Sequence, residues 1–466
     1  MKAGKSKLNG YIEKIISLNT HKQNETGTVP TYFIRTYGCQ MNDRDSEKLT
    51  ALIETLGYTA ATSQDVADLV LYNTCCVRES AEDKVFGHLG DLNHLKKTRK
   101  DMIVAICGCM TQQEHIAQQF AQKHNYINII FGTGNRHRFP EFLYKTLTTG
   151  KNIMDITEDD GLPELDNISV TTREFPHKAG VNIMFGCDNY CSYCIVPYVR
   201  GREKSRLPQD IIKEVQELVN DGVVEIMLLG QNVNSYGQNL EVPTSFPKLL
   251  YEVNKINGLK RIRFMTSHPK DVSDELLFAL RDLDKVCKSL HLPLQSGSTK
   301  VLHDMNRKYT QEDYLSLIRR AKEHIPEIGL STDIIVGYPG ETDEDFEETI
   351  KAVTEAQFNS AFTFQYSKRS GTPAAERKDV PDKKIVAERF DRLIDVMYPI
   401  MQTLNEKLIG KTVAVMIDDF VSNNQYKGKT DDGTLVNFSS EQRYKQGDVV
   451  FVTIETARSF YVTGRA

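Results

Sequence analysis

The chain has 466 residues, 40% hydrophobic and 26% charged, with a net charge of −5 at pH 7. It is long enough to need more than one core, and its charge excludes a protein that meets nucleic acid through overall positive potential. No apolar run of about 18 residues occurs, and the polar, lysine-containing start lacks the apolar stretch of a secretory signal, so a cytoplasmic chain is expected. Its nine cysteines, an odd number, are then metal ligands or reactive thiols before they are disulfides.

Residues 1–30 are polar and read as a flexible leader with at most one short helix around Tyr11 to Ser17. From 31 to 150, short apolar runs alternate with amphipathic stretches. Tyr32-Phe33-Ile34, Leu69-Val70-Leu71, Ile103-Val104-Ala105-Ile106 and Ile127-Asn128-Ile129-Ile130 read as strands of a parallel α/β sheet. Cys39, Cys75 and Cys109 follow the first three of these strands, each in the loop before a helix. Adjacent parallel strands lie about 4.8 Å apart, so their carboxyl-terminal loops bring such side chains together. Three distant thiols can therefore share one cluster, although three unrelated loop or core thiols give the same spacing. Cys107 ends an apolar strand and is expected in the core, whereas position alone does not choose between Cys75 and its neighbour Cys76.

Residues 151–176, with Asp155, Glu158, Asp159, Asp160, Glu164 and Asp166 and the prolines Pro163 and Pro176, read as a surface linker. From 177 to 403, six strand-then-helix units follow, with strands near Val181–Phe185, Val224–Leu229, Arg261–Met265, Ser289–Leu292, Leu330–Val336 and Ala361–Tyr366. Six units fall short of the eight that close a barrel, so an open (β/α)6 barrel is expected, with its functional residues at the carboxyl ends of the strands.

The first of those ends carries Cys187-x3-Cys191-x2-Cys194. Three thiols leave one coordination position open, unlike the four ligands of a closed zinc site. A thiolate-held iron–sulfur cluster with a free iron suits that pattern, with zinc or an unliganded redox trio as the alternatives. The later strand ends carry Gly230-Gln231-Asn232-Val233-Asn234, Thr266-Ser267-His268-Pro269, Pro293-Leu294-Gln295-Ser296-Gly297-Ser298 and Gly337-Tyr338-Pro339-Gly340-Glu341-Thr342. Small and amide residues gathered on one face suit a zwitterionic ligand, although each alone is ordinary turn chemistry. His268 and His291 read as satisfied polar residues, and Asp333 as a pocket residue or a paired carboxylate.

Arg200, Arg202, Lys204 and Arg206, with Glu203 among them, form a basic segment that suits RNA phosphates or a solvated loop, and Lys96 to Lys100 is equally ambivalent. Residues 404–466 hold short apolar runs at Lys411–Ile417, Leu435–Phe438 and Val449–Ile454 with turn-forming Asp431-Asp432-Gly433 and Gln446-Gly447-Asp448, the pattern of a small β-barrel. Its basic and acidic residues balance, so charge gives no independent support for RNA binding.

Several segments together are similar to one family. Thr36-Tyr37-Gly38-Cys39-Gln40-Met41-Asn42, Asp45-Ser46-Glu47, Asn73-Thr74-Cys75, Val77-Arg78-Glu79 and Gly108-Cys109-Met110 resemble the amino-terminal domain of the methylthiotransferases. The Cys187 loop, with Tyr193 before its last cysteine, resembles that of radical S-adenosylmethionine (SAM) enzymes. Gly410-Lys411 and Tyr461-Val462-Thr463-Gly464 resemble a TRAM domain, a small RNA-binding barrel. The resemblance implies two [4Fe–4S] clusters, one on Cys187, Cys191 and Cys194 and an auxiliary one on Cys39, Cys75 and Cys109, with Cys76 where a small residue such as Ser is expected. It places Gln231 near the methionine part of SAM and Gln295 and Asp333 near its ribose or the substrate, with Tyr193 also among the cofactor-binding residues. Arg200, Arg202 and Arg206 are then expected to contact RNA.

The forms around Cys39 and Val77-Arg78-Glu79-Ser80-Ala81-Glu82 look most like the family members that methylthiolate C2 of isopentenyl-adenosine beside the tRNA anticodon, at position 37. Relatives act on threonylcarbamoyl-adenosine in tRNA or on an aspartate of a ribosomal protein. Adenine C2 carries no acidic proton, so its activation calls for cofactor-borne radical chemistry. The resemblance implies that one SAM yields a 5′-deoxyadenosyl radical and a second supplies the methyl group. An electron donor and a sulfur source complete the partners, no membrane is involved, and a monomer is expected. An iron–sulfur RNA-binding or electron-transfer protein is the non-enzymatic alternative.

Overall fold

The structure is a computed structural model that describes residues 2–76, 79–157, 173–422 and 424–466. Most of the expected linker, and the motif residues Val77 and Arg78, lie outside the described residues. The chain forms two compact units, one of residues 1–174 with 195–202 and the other of 175–194 with 203–466.

The first unit is built on a parallel sheet of β1 (Thr31–Thr36), β2 (Thr59–Ala60), β3 (Leu69–Thr74), β4 (Ile103–Gly108), β5 (Ile129–Phe131) and β6 (Ile153–Asp155), in the order β2-β1-β3-β4-β5-β6. All six residues of β3 are buried, as a central strand covered on both faces requires. Its side chains alternate between two cores. Val70 and Tyr72 pack with Val104, Ile106, Val85 and Phe120, whereas Leu69 and Leu71 pack with Ala105, Cys107, Leu52 and Phe142. Cys107 thus lies in the core as expected, and burial raises its thiol pKa far above the ordinary value.

The expected flexible leader is instead a helix, Lys2–Thr26, packed on this unit. Ile15 is fully buried, Tyr11 meets Tyr144 at 5.6 Å between ring centroids, and Asn19 donates through Nδ2 to the Leu56 carbonyl at 2.8 Å. A narrow apolar stripe among many polar residues forms the docked face, which is why the segment reads as mobile from composition.

In the second unit β7 (Lys178–Asn182) is followed by β8 (Met184–Phe185), which pairs with β9 (Lys204–Ser205) as a small antiparallel ribbon. The first barrel strand therefore ends earlier than its apolar run suggests. β10 (Glu225–Leu229), β11 (Arg261–Phe264), β12 (Ser289–His291), β13 (Gly329–Val336) and β14 (Ser360–Gln365) complete the barrel strands. They pair in parallel as β11-β10-β7 and β12-β13-β14, joined by the Ile262–Val286 bridge. The expected open six-stranded α/β barrel is present, and strand residues Val181, Ile226, Ile262, Leu290 and Ile334 share one large core with helix residues such as Val215, Leu250, Leu277 and Ile318.

Five strands then close a small barrel: β15 (Thr412–Ser422), β16 (Gln425–Lys429), β17 (Leu435–Ser439), β18 (Val449–Ala457) and β19 (Val462–Arg465), in the order β15-β16-β17-β19-β18. The sequence signals three of them. β16 and β19 are short and largely polar, with only alternate residues buried, so their hydrophobic runs are too weak to stand out.

This barrel docks at the amino-terminal ends of the large barrel's strands. Arg261 donates through Nη1 to the Lys429 carbonyl at 2.7 Å, and Arg263 through Nη2 to that of Thr430 at 2.7 Å. Arg261 also pairs with Asp431, and Lys178 pairs with Asp418 at 3.0 Å. The opposite, carboxyl-terminal ends of those strands carry the Cys187 loop and the polar strand-end residues. Among the described residues no helix is long and apolar enough to cross a membrane.

Candidate active site

The chain after β7 and β8 turns through Gly186 to Cys194 and is held by residues 304–307. Ser192 donates its N–H to the Met305 carbonyl at 3.0 Å and its hydroxyl to the Asp304 carbonyl at 2.8 Å. The Asn306 amide donates to the Tyr190 carbonyl at 2.9 Å. Tyr190 and Asn306 both adopt positive φ, 47° and 58°, a strained choice for non-glycine residues that clusters at functional sites. Cys187 and Cys191 are buried and Cys194 is half-buried. Tyr193 packs beside Val301, Met305 and Tyr338.

Two side chains donate directly to these sulfurs. Asn189 reaches Cys187 Sγ through Nδ2 at 3.4 Å, and Arg307 reaches Cys191 Sγ through Nη1 at 3.3 Å. Arg307 also donates to the Tyr309 hydroxyl at 2.9 Å and the Pro293 carbonyl at 3.1 Å, so its fork is fixed. Burial pushes the Cys187 thiol up to about 11.

The strand ends beside this loop carry polar atoms that the protein itself leaves unmatched. Both amide atoms of Asn234, the Ser267 hydroxyl and Gln295 Oε1 are buried with no hydrogen-bond partner among the described residues. Buried polar groups ordinarily find partners, so these suit a polar ligand. Thr266 and Gln295 each hold φ at 68°, and Gln295 joins the sheet by a bridge to Ile334. Gln231 is half-buried at the end of β10. Asp333 faces His291, with Oδ2 and Nε2 at 3.4 Å, while His291 Nδ1 meets the Ser331 hydroxyl at 3.0 Å. Burial, with Arg307 and Lys270 nearby, drives His268 down to about 2, so it is neutral at any working pH.

The other thiols lie at the ends of β1, β3 and β4 in the first unit. Cys39 caps the helix Gln40–Thr55, Cys75 and Cys76 follow β3, and Cys109 follows β4. The Cys39 thiol contacts that of Cys75, and the Cys76 thiol contacts that of Cys109. The adjacent pair thus faces two different partners, which brings four thiols together and does not by itself select three. The contact with Cys75, then Arg200 and the amides of Asn42 and Met41, overcomes burial and lowers Cys39 to about 5. The contact with Cys76, aided by Arg200, lowers Cys109 to about 7. Thiols of this kind carry the thiolate that binds metal.

Gly38 and Gly108 make the pocket possible. Both adopt positive φ, and a Cβ at Gly38 would overlap the Cys75 side chain while one at Gly108 would overlap Thr74. Asn42 braces the same turn, donating to the Tyr37 and Thr74 carbonyls at 2.9 Å each.

The basic segment departs from expectation. Arg200 is not a surface residue: its side chain is 5% exposed, pairs with Asp45 at 2.8 Å and donates to Asn42 Oδ1 at 2.6 Å. Its Nε lies 3.3 Å from Cys109 Sγ. Arg206 is likewise buried, donating to the Asn182 carbonyl and pairing with Glu214, each at 2.6 Å. Neither guanidinium is free to take an RNA phosphate, because the buried Asp45 holds one and the half-buried Glu214 the other. Arg202 is exposed.

Among the described residues no group of three His, Cys, Asp or Glu side chains is spaced for a single metal ion. The donors of both sets are thiols, and this donor chemistry fits an iron–sulfur cluster, whose irons take thiolates one by one. The unmatched polar atoms at the strand ends fit SAM.

An open six-stranded α/β barrel with a three-cysteine loop at its carboxyl-terminal rim defines the radical SAM class. Residues 181–353 match the Radical SAM superfamily, 31–132 match the uncharacterized protein family UPF0004, and 406–466 match the TRAM domain. The chain is 48% identical over 449 residues to the tRNA-2-methylthio-N(6)-dimethylallyladenosine synthase of Caldicellulosiruptor saccharolyticus, covering 96% of this chain and 95% of that one. It is 47% identical to the synthase of the same name from Clostridioides difficile, covering 97% and 95%. The chain belongs to the tRNA-2-methylthio-N(6)-dimethylallyladenosine synthase family. Among solved structures, the radical S-adenosylmethionine methyltransferase TsrM from Kitasatospora setae shares the fold, with a TM-score of 0.54 at 14% identity over 74% of this chain and 75% of that one.

Sequence reasoning missed Arg307, Asn189, Asn306, Asn234 and Ser267 as individual residues. The last two sit in loops the strand ends single out, whereas Arg307 lies in no recognisable motif.

Proposed function

We propose that this chain adds a methylthio group to C2 of isopentenyl-adenosine at position 37 of tRNA, with Cys187, Cys191 and Cys194 holding the SAM-binding cluster and Cys39, Cys75 and Cys109 the sulfur-bearing one. The observation that carries this reading is the presence of two separate thiol sets, each at the carboxyl ends of parallel strands and each touched by a buried arginine. The clusters, when bound, supply the electron that cleaves SAM and the sulfur that reaches the base. The protein's own part is placement. Asn306, Ser192 and Arg307 fix the Cys187 loop, so three thiolates are presented in one geometry. Asn234, Ser267 and Gln295 offer unmatched polar atoms to SAM, with Gln231 beside its methionine part and Tyr193 also among the cofactor-binding residues. In the first unit Gly38 and Asn42 shape the turn that presents Cys39 and Cys75.

RNA contacts fall to exposed groups. Arg202 and the small barrel, where Phe420 and Phe451 are 46% and 70% exposed, offer phosphate and base-stacking partners. A low-potential electron donor and a sulfur source act with the chain, which works as a monomer in the cytoplasm.

The test is anaerobic turnover of the reconstituted protein with tRNA carrying isopentenyl-adenosine, SAM, a reductant and a sulfide source. The expected products are the methylthiolated nucleoside and 5′-deoxyadenosine, both lost in Cys191→Ala. Modification of threonylcarbamoyl-adenosine alone, or tRNA binding with no SAM cleavage, would overturn the assignment.

A further inference from the structure

The two thiol sets share a feature that the motifs do not contain. Each has one buried guanidinium with an N–H 3.3 Å from a cysteine sulfur: Arg200 Nε at Cys109 and Arg307 Nη1 at Cys191. Neither arrangement is incidental. Arg200 is held by Asp45 Oδ2 at 2.8 Å and by Asn42 at 2.6 Å, and the same Asp45 oxygen also pairs with Arg136. Arg307 is held by Tyr309 at 2.9 Å and the Pro293 carbonyl at 3.1 Å. The two environments also differ. Arg200 shares a buried carboxylate with Arg136, whereas Arg307 meets a phenol, a carbonyl and a thiol.

A cationic N–H aimed at a cluster's thiolate stabilises the form with more negative charge, and hydrogen bonds to sulfur are among the factors that set a cluster's reduction potential. We infer that Arg307 and Arg200 are positioning residues that set, separately, the potentials of the SAM-binding and auxiliary clusters. The inference rests on the cluster assignments above. The step concerned is a one-electron reduction: a low-potential donor is oxidised by one electron, the cluster takes it up, and no bond to the cysteine sulfur is made or broken. With its charge not offset by a carboxylate, Arg307 makes the SAM-binding cluster easier to reduce than its burial alone would allow. Arg200, whose charge is only partly offset because Asp45 is shared with Arg136, contributes a weaker field and its directed N–H.

The experiment is an EPR-monitored redox titration of the reconstituted full chain and of Arg307→Gln, Arg307→Lys, Arg200→Gln and Arg200→Lys. Iron and sulfide analysis establishes first that both clusters are loaded. Arg307→Gln is expected to lower the reduced-to-oxidised ratio of the SAM-binding cluster at fixed potential by about tenfold, ~59 mV for one electron. The auxiliary signal is expected to stay in place, Arg307→Lys to recover part of the shift, and Arg200→Gln to do the reverse. The inference is overturned if both variants keep wild-type potentials at full iron loading, or if either one moves both clusters equally. A parent chain holding only one cluster would instead defeat the two-cluster reading. Should Arg200→Gln fail to fold, because Asp45 loses a buried partner, the Arg307 pair still decides the inference for the SAM-binding cluster, and Arg200→Lys decides it for the other.

Discussion

Gly38 is where the thiol pocket depends most directly on one residue, since any side chain there would take the space of Cys75. Gly38→Ala is expected to leave the protein with about four irons in place of about eight, read by iron and sulfide analysis, because only the auxiliary site is disturbed. Cys75→Ala is expected to give the same loss and Cys76→Ala to keep full iron, with retention in the first and loss in the second reversing the ligand choice. At this scale the sequence was legible where chemistry is local. The cysteines stand out because each follows an apolar strand, and their loops lie where the strand pattern puts them. Arg200 and Arg206 were misread because a run of charges looks like a solvated face. Their partners, Asp45 and Glu214, come from other elements and become visible only once the chain is folded. Arg307 was not legible at all, since nothing in its neighbourhood marks it until its guanidinium is seen beside Cys191.

The helix Lys2–Thr26 and the docked small barrel carry the expectations that belong to elements. Ile15 is fully buried against the first unit, so Ile15→Ala is expected to cost about 2–5 kcal/mol in urea unfolding of that unit, an effect a mobile leader would not show. Asp418 is 16% exposed and joins the small barrel to Lys178 at 3.0 Å, with His177 at 3.8 Å. Burial alone would raise its carboxyl pKa, but His177, Lys178 and Lys429 hold it well below the ordinary range. A depressed carboxyl pKa stabilises the fold above the unfolded value of about 3.9, and that contribution fades as pH falls toward the folded value. Asp418→Asn is therefore expected to cost about 1–3 kcal/mol at neutral pH. Its deficit against wild type should shrink below about pH 4. A deficit that stays constant into acid would show that Asp418 acts through packing and not charge. The barrel strands were legible from alternation with helices, whereas β16 and β19 were not, because strands this short close a barrel through backbone pairing more than through apolar side chains.

For the whole molecule, the family and the fold class follow from segments spread over most of the chain, and the reaction follows from the family. Within each unit the labour is divided. The large barrel presents three thiols and unmatched polar atoms at one end of its strands and is fastened to the RNA-binding type of barrel at the other. The first unit presents thiols that Arg200, Asn42 and two glycines hold in place. The central claim is that these parts serve methylthiolation of isopentenyl-adenosine in tRNA. Its most direct test is mass spectrometry of tRNA nucleosides from cells lacking this protein, complemented with wild type or with Cys191→Ala. The expected result is isopentenyl-adenosine without its methylthio group in the deletion, with the group restored by wild type and not by the variant. Methylthiolated nucleoside at normal levels in the deletion, or restored by Cys191→Ala, would contradict it.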